Sequence, residues 1–237
     1  IFGVIVPRHV RDTAETHPHP PGTREIARFL AGDFPGTLSV LTIVYLVPVA
    51  VATQVGEATF GRFSMAHTLG CMIELLAMNM AVSLTVEGSF DRSQLAANCR
   101  NALRRALMII VPIIAVAVAA APLILRIFGE DFAAEGTLLL RLMALAVLPR
   151  VLIEIYLSAL RAMGEVRKLA ALQIGLAATV LASITLLFPI ASVEAVGYGM
   201  LISQTLIALV IFSKLRKILK PAETRQLSVA QGSPGAP

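Results

Sequence analysis

The sequence predicts an all-α polytopic membrane protein with six transmembrane helices, and three observations predict it. First, 57% of the 237 residues are hydrophobic and 15% charged, with a mean hydropathy of +0.79. A soluble domain is nearer to about 45–50% apolar and about 25% charged. Second, the apolar residues are gathered in long runs. Stretches free of Asp, Glu, Lys and Arg extend from Phe34 to Gly56, Ala106 to Leu125, Leu169 to Val193 and Ala195 to Ser213. At about 1.5 Å per helical residue, each is long enough to cross about 30 Å of bilayer hydrocarbon. Two further runs, Phe63–Val86 and Leu142–Leu160, carry internal charge: Glu74 in the first, Arg150 and Glu154 in the second.

Third, the basic residues alternate between the loops. Arg8, Arg11, Arg24 and Arg28 precede the first span, and Arg92, Arg100, Arg104 and Arg105 follow the second. Arg161, Arg167 and Lys168 follow the fourth, and Lys214, Arg216, Lys217, Lys220 and Arg225 follow the sixth. The opposite side holds Arg62 and Arg126, while Arg141 and Arg150 fall at or within the fourth span. Lys and Arg collect on the cytoplasmic side of a membrane protein. Both termini are therefore expected to be cytoplasmic, as an even number of spans requires, in the inner (plasma) membrane of a cell. Glu57, Glu130, Asp131, Glu135 and Glu194 fall on the outer side.

Taken in order, residues 1–36 read as the end of a truncated span plus a cytoplasmic linker. Ile1–Val6 (IFGVIV) is apolar but too short to cross a bilayer, and no basic residue precedes it as in a signal peptide. The chain is thus expected to be the C-terminal part of a larger protein. ETHPHPPGT (15–23) is Pro-rich and reads as extended. His17 and His19 have no third metal ligand nearby, which favours a solvated linker over a metal site.

Residues 37–219 read as the six-helix lobe. Span 1 carries uncharged polar residues, Ser39, Thr42 and Tyr45. Span 2 has a stripe, His67, Gly70, Cys71 and Glu74, on one helical face. SFDRSQLAANCRNALRRAL (89–107) reads equally as an amphipathic interfacial helix, with Leu95, Ala96, Cys99 and Leu103 on one side, or as a helical extension of span 3. RIFGEDFAAEGT (126–137) reads as an acidic outer loop with a Gly–Glu–Asp turn. Arg141, near the outer end of span 4, is expected to snorkel. Span 5 presents Gly175, Thr179 and Ser183, small residues at a spacing that lets helices approach. Span 6 carries Ser203 and Gln204. Pro48, Pro112, Pro122, Pro149 and Pro189 each remove a backbone donor inside a span and permit a kink. Residues 220–237 read as a disordered cytoplasmic tail. Cys71 and Cys99 give neither a disulfide framework nor metal spacing.

The candidate site comes from the cost of burying charge. Arg150 and Glu154 are one helical turn apart and share a face. A lone charge at that depth costs at least about 2.5–3.5 kcal/mol, so the pair should face protein or a water-filled cavity. Glu74, alone in its own span, pairs with Arg150 or is protonated. Arg150, Glu154 and Glu74 are thus the substrate- and ion-pathway candidates. Arg150 suits an anionic group such as phosphate, and a carboxylate suits a proton or cation. The alternative is a self-neutralised pair that only fixes helix packing. His67, Tyr45 and Gln204 are secondary cavity candidates. No catalytic residue is expected, because no phosphate-binding glycine loop, metal cluster or nucleophile motif occurs. The sequence pI of 9.7 does not point to nucleic acid, because the basic residues sit where a bilayer places them.

Four stretches carry a family likeness: PLILRIFGEDFAAEGTLLLRLMALAVLPRVL (122–152), SALRAMGEVRKLAA (158–171), YLVPVAVATQVGEATFGRFSMA (45–66) and GYGMLISQTLIALVIF (197–212). An apolar span ending in a Phe–Gly turn, an acidic segment, a Leu-rich span with a mid-span Pro and a Leu–Arg–x–x–Gly turn follow one another. From Asp33 to Leu219 the chain resembles the C-terminal half of polysaccharide flippases in the multidrug/oligosaccharidyl-lipid/polysaccharide exporter superfamily. The resemblance implies one six-helix lobe of a two-lobed transporter, whose N-terminal lobe would be a partner. It implies translocation of a lipid-linked oligosaccharide or polysaccharide precursor across a bacterial inner membrane by alternating access. No cofactor is implied beyond a coupling H⁺ or Na⁺; the partners would be the lipid-linked saccharide and membrane lipids. A multidrug/cation antiporter of the same superfamily is the alternative. A membrane enzyme or a scaffold of polysaccharide assembly is a third reading, though the outer loops are too short to build a catalytic site.

Overall fold

In the computed structural model, residues 44–86 and 95–219 are described, together with Phe34, Leu38 and Leu41. Ile1–Val6, the 15–23 linker with His17 and His19, and the 220–237 tail lie outside the described residues. Six helical segments and no strand occur among the described residues: α1 (44–52), α2 (Glu57–Val86), α3 (Leu95–Arg126), α4 (Glu130–Ala162), α5 (Val166–Ala191) and α6 (Glu194–Leu219).

The bundle is arranged around α4. This helix packs against α2, α3 and α6, and α5 lies outside it against α6. One side of α4 presents Ala144, Val147, Val151, Ile155 and Ala159 to Ala106, Ile110 and Ile114 of α3. Its other sides carry Leu139, Met143, Ala146, Ile153, Leu157 and Leu160 into the larger core with α1, α2, α5 and α6. A helix buried all round is apolar all round, so α4 shows no clean polar face. The outer helices show the reverse. Val116 and Leu123 of α3, Leu186 and Ile190 of α5, and Leu209 and Val210 of α6 are exposed. Exposed apolar area on this scale marks a surface meant for a non-aqueous neighbour. Three helices, Arg100–Arg126, Val166–Ala191 and Glu194–Ser213, are long and apolar enough to cross a membrane.

Direction alternates along the chain. Gly70 of α2 faces Met143 of α4, and Gly136 of α4 faces Ala66 of α2, so these two helices run parallel. Gly197 of α6 meets Leu142 and Leu139 of α4, which makes α6 parallel to both. The connections through 127–129, 163–165 and 192–193 turn α3 and α5 back. One end of the bundle therefore gathers Arg62, Glu130, Asp131, Glu135 and Glu194, with an ion pair between Arg62 and Glu135 tying α2 to α4. The other end gathers Arg100, Arg104, Arg105, Arg161, Arg167 and Lys168.

Several local expectations change. The acidic segment 126–137 is not a loop: after Ile127, Phe128 and Gly129, helix α4 starts at Glu130. Glu130 and Asp131 sit in its first turn, where the helix dipole favours negative charge. The segment 95–126 is one continuous helix, which answers to the extension of span 3. The turn at 163–165 holds as a turn and has a specific chemistry. The Glu165 N–H donates to Leu160 O and the Gly164 N–H to Arg161 O, each at 3.0 Å, and Gly164 has φ 71°. This is a Schellman end, in which glycine supplies the left-handed residue at C′.

Arg141 does not snorkel. Its Nε donates to the Val118 carbonyl of α3 at 3.0 Å. Pro122 lies four residues after Val118 in the same helix and has no N–H for that carbonyl. The arginine of the neighbouring helix thus replaces the donor that the proline removes. Arg141→Ala is expected to destabilise the fold by about 1.5–3 kcal/mol, the range for a hydrogen bond to a charged group. In a Pro122→Ala background the helix regains its own donor, and the same change should cost measurably less. A double-mutant cycle by denaturant unfolding checks this; strict additivity refutes it.

The Gly175–Thr179–Ser183 stripe is only partly a packing surface. Gly175 is exposed and a Cβ there would meet nothing within 4 Å. The close α5–α6 approach is instead at Gly199, where a Cβ would lie 2.7 Å from Ile184 Cγ1 and 3.0 Å from its backbone nitrogen. Below that contact, Ser203 Oγ lies 3.0 Å from Thr179 O, 2.9 Å from Ser183 Oγ and 2.6 Å from Gly199 O. Backbone cannot move aside as a flexible side chain can. Gly199→Ala should therefore destabilise by about 1–3 kcal/mol. Gly175→Ala should be neutral or stabilise by up to about 1 kcal/mol through helix propensity. Equal unfolding midpoints for the two variants would contradict this assignment.

Candidate functional site

Arg150, Glu154 and Arg161 lie on one stripe of α4, separated by one turn and then two. Glu74 comes from α2 and Gln204 from α6, at matching height because these helices run parallel to α4. The result is a chain of alternating charge. Glu74 Oε1 lies 3.7 Å from Arg150 Nε, and Arg150 Nη2 lies 3.7 Å from Glu154 Oε2. Arg161 Nη1 donates to Glu154 Oε1 at 3.2 Å, and Gln204 Nε2 donates to Glu74 Oε1 at 3.2 Å. The two Arg150 contacts are ion pairs longer than a hydrogen bond. The chain as a whole is electrically neutral when all four groups are ionised.

Burial is deepest at the centre. Arg150 is 5% and Glu154 3% exposed, and Gln204 is 2% exposed. Glu74 is more accessible, with 17% of its side chain exposed, and Arg161 reaches 29%. Desolvation of ions in such an interior is repaid only when opposite charges and hydrogen bonds surround them. Two atoms of this centre, Arg150 Nε and Gln204 Oε1, have no hydrogen-bond partner.

A cavity of about 110 Å³ lies against the chain. His67, Cys71, Glu74, Arg150 and Gln204 supply its polar or polarisable wall, and Leu176, Val180 and Met200 are among its apolar lining. The α2 stripe explains the first part: His67, Cys71 and Glu74 recur on the face turned toward α4 and α6. Gly70 in the same stripe permits the approach, because a Cβ there would fall 2.6–2.9 Å from the Met143 side chain. His67 stacks on Phe63 with ring centroids 5.2 Å apart, and its ring nitrogens lie 3.7 and 3.8 Å from Cys71 Sγ. Helix α4 is unbroken through Pro149, next to Arg150.

The structure thus brings together Arg150, Glu154, Glu74, Gln204 and His67. It does not bring Tyr45, which is 67% exposed and does not line the cavity, although its neighbour Val44 does. Two participants escaped the sequence reading. Arg161 had been placed with the loop charges, yet α4 continues through it; its i+7 relation to Glu154 was the available signal. Gln173, 8% exposed with its Oε1 unpartnered, stands alone in an otherwise uncharged span. Among the described residues no group of three His, Cys, Asp or Glu is placed to hold a metal ion. Compared with protein-family models, curated proteins and solved structures, the chain matches none.

Proposed function

We propose that this chain forms a six-span lobe of a bacterial inner-membrane flippase. It would move a lipid-linked oligosaccharide or polysaccharide precursor by alternating access, coupled to H⁺ or Na⁺. The observation that carries the proposal is a charged chain facing a cavity inside an otherwise apolar bundle. Ionisable groups placed at such depth usually serve a pathway, because packing alone is met more cheaply by apolar residues. The motifs quoted above supply the substrate class. In this reading the basic end of the bundle is cytoplasmic, and a second lobe completes the cavity. Arg150 is the group for a pyrophosphate or acidic sugar. Glu74, the more accessible carboxylate, takes the coupling ion.

The test is export of the lipid-linked saccharide by the complete protein in sealed vesicles. Glu74→Gln is expected to lower ion-driven export by about tenfold or more, with the amount of folded protein unchanged. Undiminished export by Glu74→Gln removes Glu74 from the ion path.

One observation favours a second reading. Leu75, Met78, Leu176, Val180 and Met200 make much of the cavity wall apolar around a carboxylate, which also suits a lipophilic cation. Proton-driven efflux of such a cation from the same vesicles, without saccharide export, would select the antiporter.

A further inference from the structure

We propose that the cavity between α1, α2, α4, α5 and α6 is a binding site for a neutral hydroxyl group, held between Arg150 Nε and Gln204 Oε1. This holds whichever substrate the bundle carries. The two atoms are complementary orphans, one a donor and the other an acceptor, on side chains 5% and 2% exposed. Both side chains line the same cavity. Both also flank the same carboxylate oxygen: Arg150 Nε lies 3.7 Å and Gln204 Nε2 3.2 Å from Glu74 Oε1. That second contact fixes the amide. A flip would set Gln204 Oε1 against an ionised carboxylate, so Nε2 faces Glu74 and Oε1 is left to accept from elsewhere.

The missing partner must both accept and donate. An anion only accepts, and would meet Glu74 and Glu154; a cation would meet the Arg150 guanidinium. The four-membered charge chain is already balanced, so a charged occupant would unbalance it. An O–H group fits both orphans: its oxygen accepts from Arg150 Nε and its proton goes to Gln204 Oε1. Room is not limiting, since a water needs about 10–15 Å³ of such volume and two to four polar partners, and the cavity has about 110 Å³. An unsatisfied buried polar atom costs about 1–3 kcal/mol, which favours occupation. The hydroxyl has two sources, water itself or the hydroxyl of a bound alcohol or sugar.

The cavity carries its own reporters. Cys71, Met78 and Met200 line it, and all three are oxidised readily by hydroxyl radicals. Met72 and Met108, 61% and 59% exposed on the apolar outer surface, are the internal controls. The chain in lipid nanodiscs is equilibrated with heavy-oxygen water, pulsed with X-rays and read by peptide mass spectrometry. Radicals formed from a held water act on the side chains beside it. Cys71, Met78 and Met200 are expected to take up the heavy oxygen several-fold more than Met72 and Met108. Gln204→Leu should bring them down to the level of the controls. Repeating the pulse with hexanol separates the sources: retained label means water holds the site, and suppressed label means a ligand hydroxyl competes for it. Cavity side chains labelled no more than Met72 and Met108 in the unaltered chain overturn the proposal, whatever the variant does. Full labelling in folded Gln204→Leu overturns the role of Gln204.

Discussion

Arg150→Ala is expected to abolish export by the complete protein and to lower the stability of the bundle by about 3–5 kcal/mol, the range for breaking a buried ion pair from one side. The reason is what remains. Glu74 and Glu154 each lie 3.7 Å from the guanidinium on opposite sides of it. Without it, two carboxylates share a site only 3–17% exposed by side chain or residue, and at least one must take up a proton. Insertion should survive, because the change makes α4 more apolar. A neutral set, Arg150→Met with Glu74→Gln and Glu154→Gln, separates structure from function. It removes the stranded charges and leaves Arg161, 29% exposed, to solvent. It is expected to recover most of the lost stability and none of the export. Unfolding in detergent micelles and export from vesicles make the comparison. Full export by Arg150→Ala would remove Arg150 from the pathway, and unchanged stability would contradict its burial.

Much of this arrangement was legible because burying charge is expensive. Arg150, Glu154 and Glu74 stand out in apolar runs, and the bundle brings these three together. The helical runs were legible for the same reason, since long charge-free segments have few alternatives to a helix in an apolar surrounding. What escaped was the exact place where helix ends and loop begins. Glu130 and Arg161 belong to α4 rather than to its loops, because a helix can continue past its apolar run for a turn on either side. Charges there look like loop charges in sequence. Contacts between helices were less legible still. Nothing local distinguishes Gly199, which touches Ile184, from Gly175, which touches nothing. The partner of Arg141 could be found only by asking which carbonyl Pro122 leaves without a donor.

The second large effect is expected at Glu154, and it separates the two carboxylates. Glu154 stands between two guanidiniums, 3.7 Å from Arg150 Nη2 and 3.2 Å from Arg161 Nη1. Glu154→Ala leaves the chain with one excess positive charge. Arg161 can turn to water, but Arg150, 5% exposed, cannot. The loss should again be about 3–5 kcal/mol. Glu74→Gln should cost less, about 1–3 kcal/mol, because the new amide still accepts from Gln204 and the position is partly open. Coupled transport should rank the other way. Glu154→Gln, which keeps the shape and an acceptor for Arg161, is expected to retain ion-driven export once folded at reduced temperature. Glu74→Gln is expected to lose it while remaining the more stable of the two. If Glu154→Gln uncouples export and Glu74→Gln does not, the ion is taken at the deeper carboxylate. Arg161, which binds that carboxylate from the basic end of the bundle, would then stand at the entrance to its path.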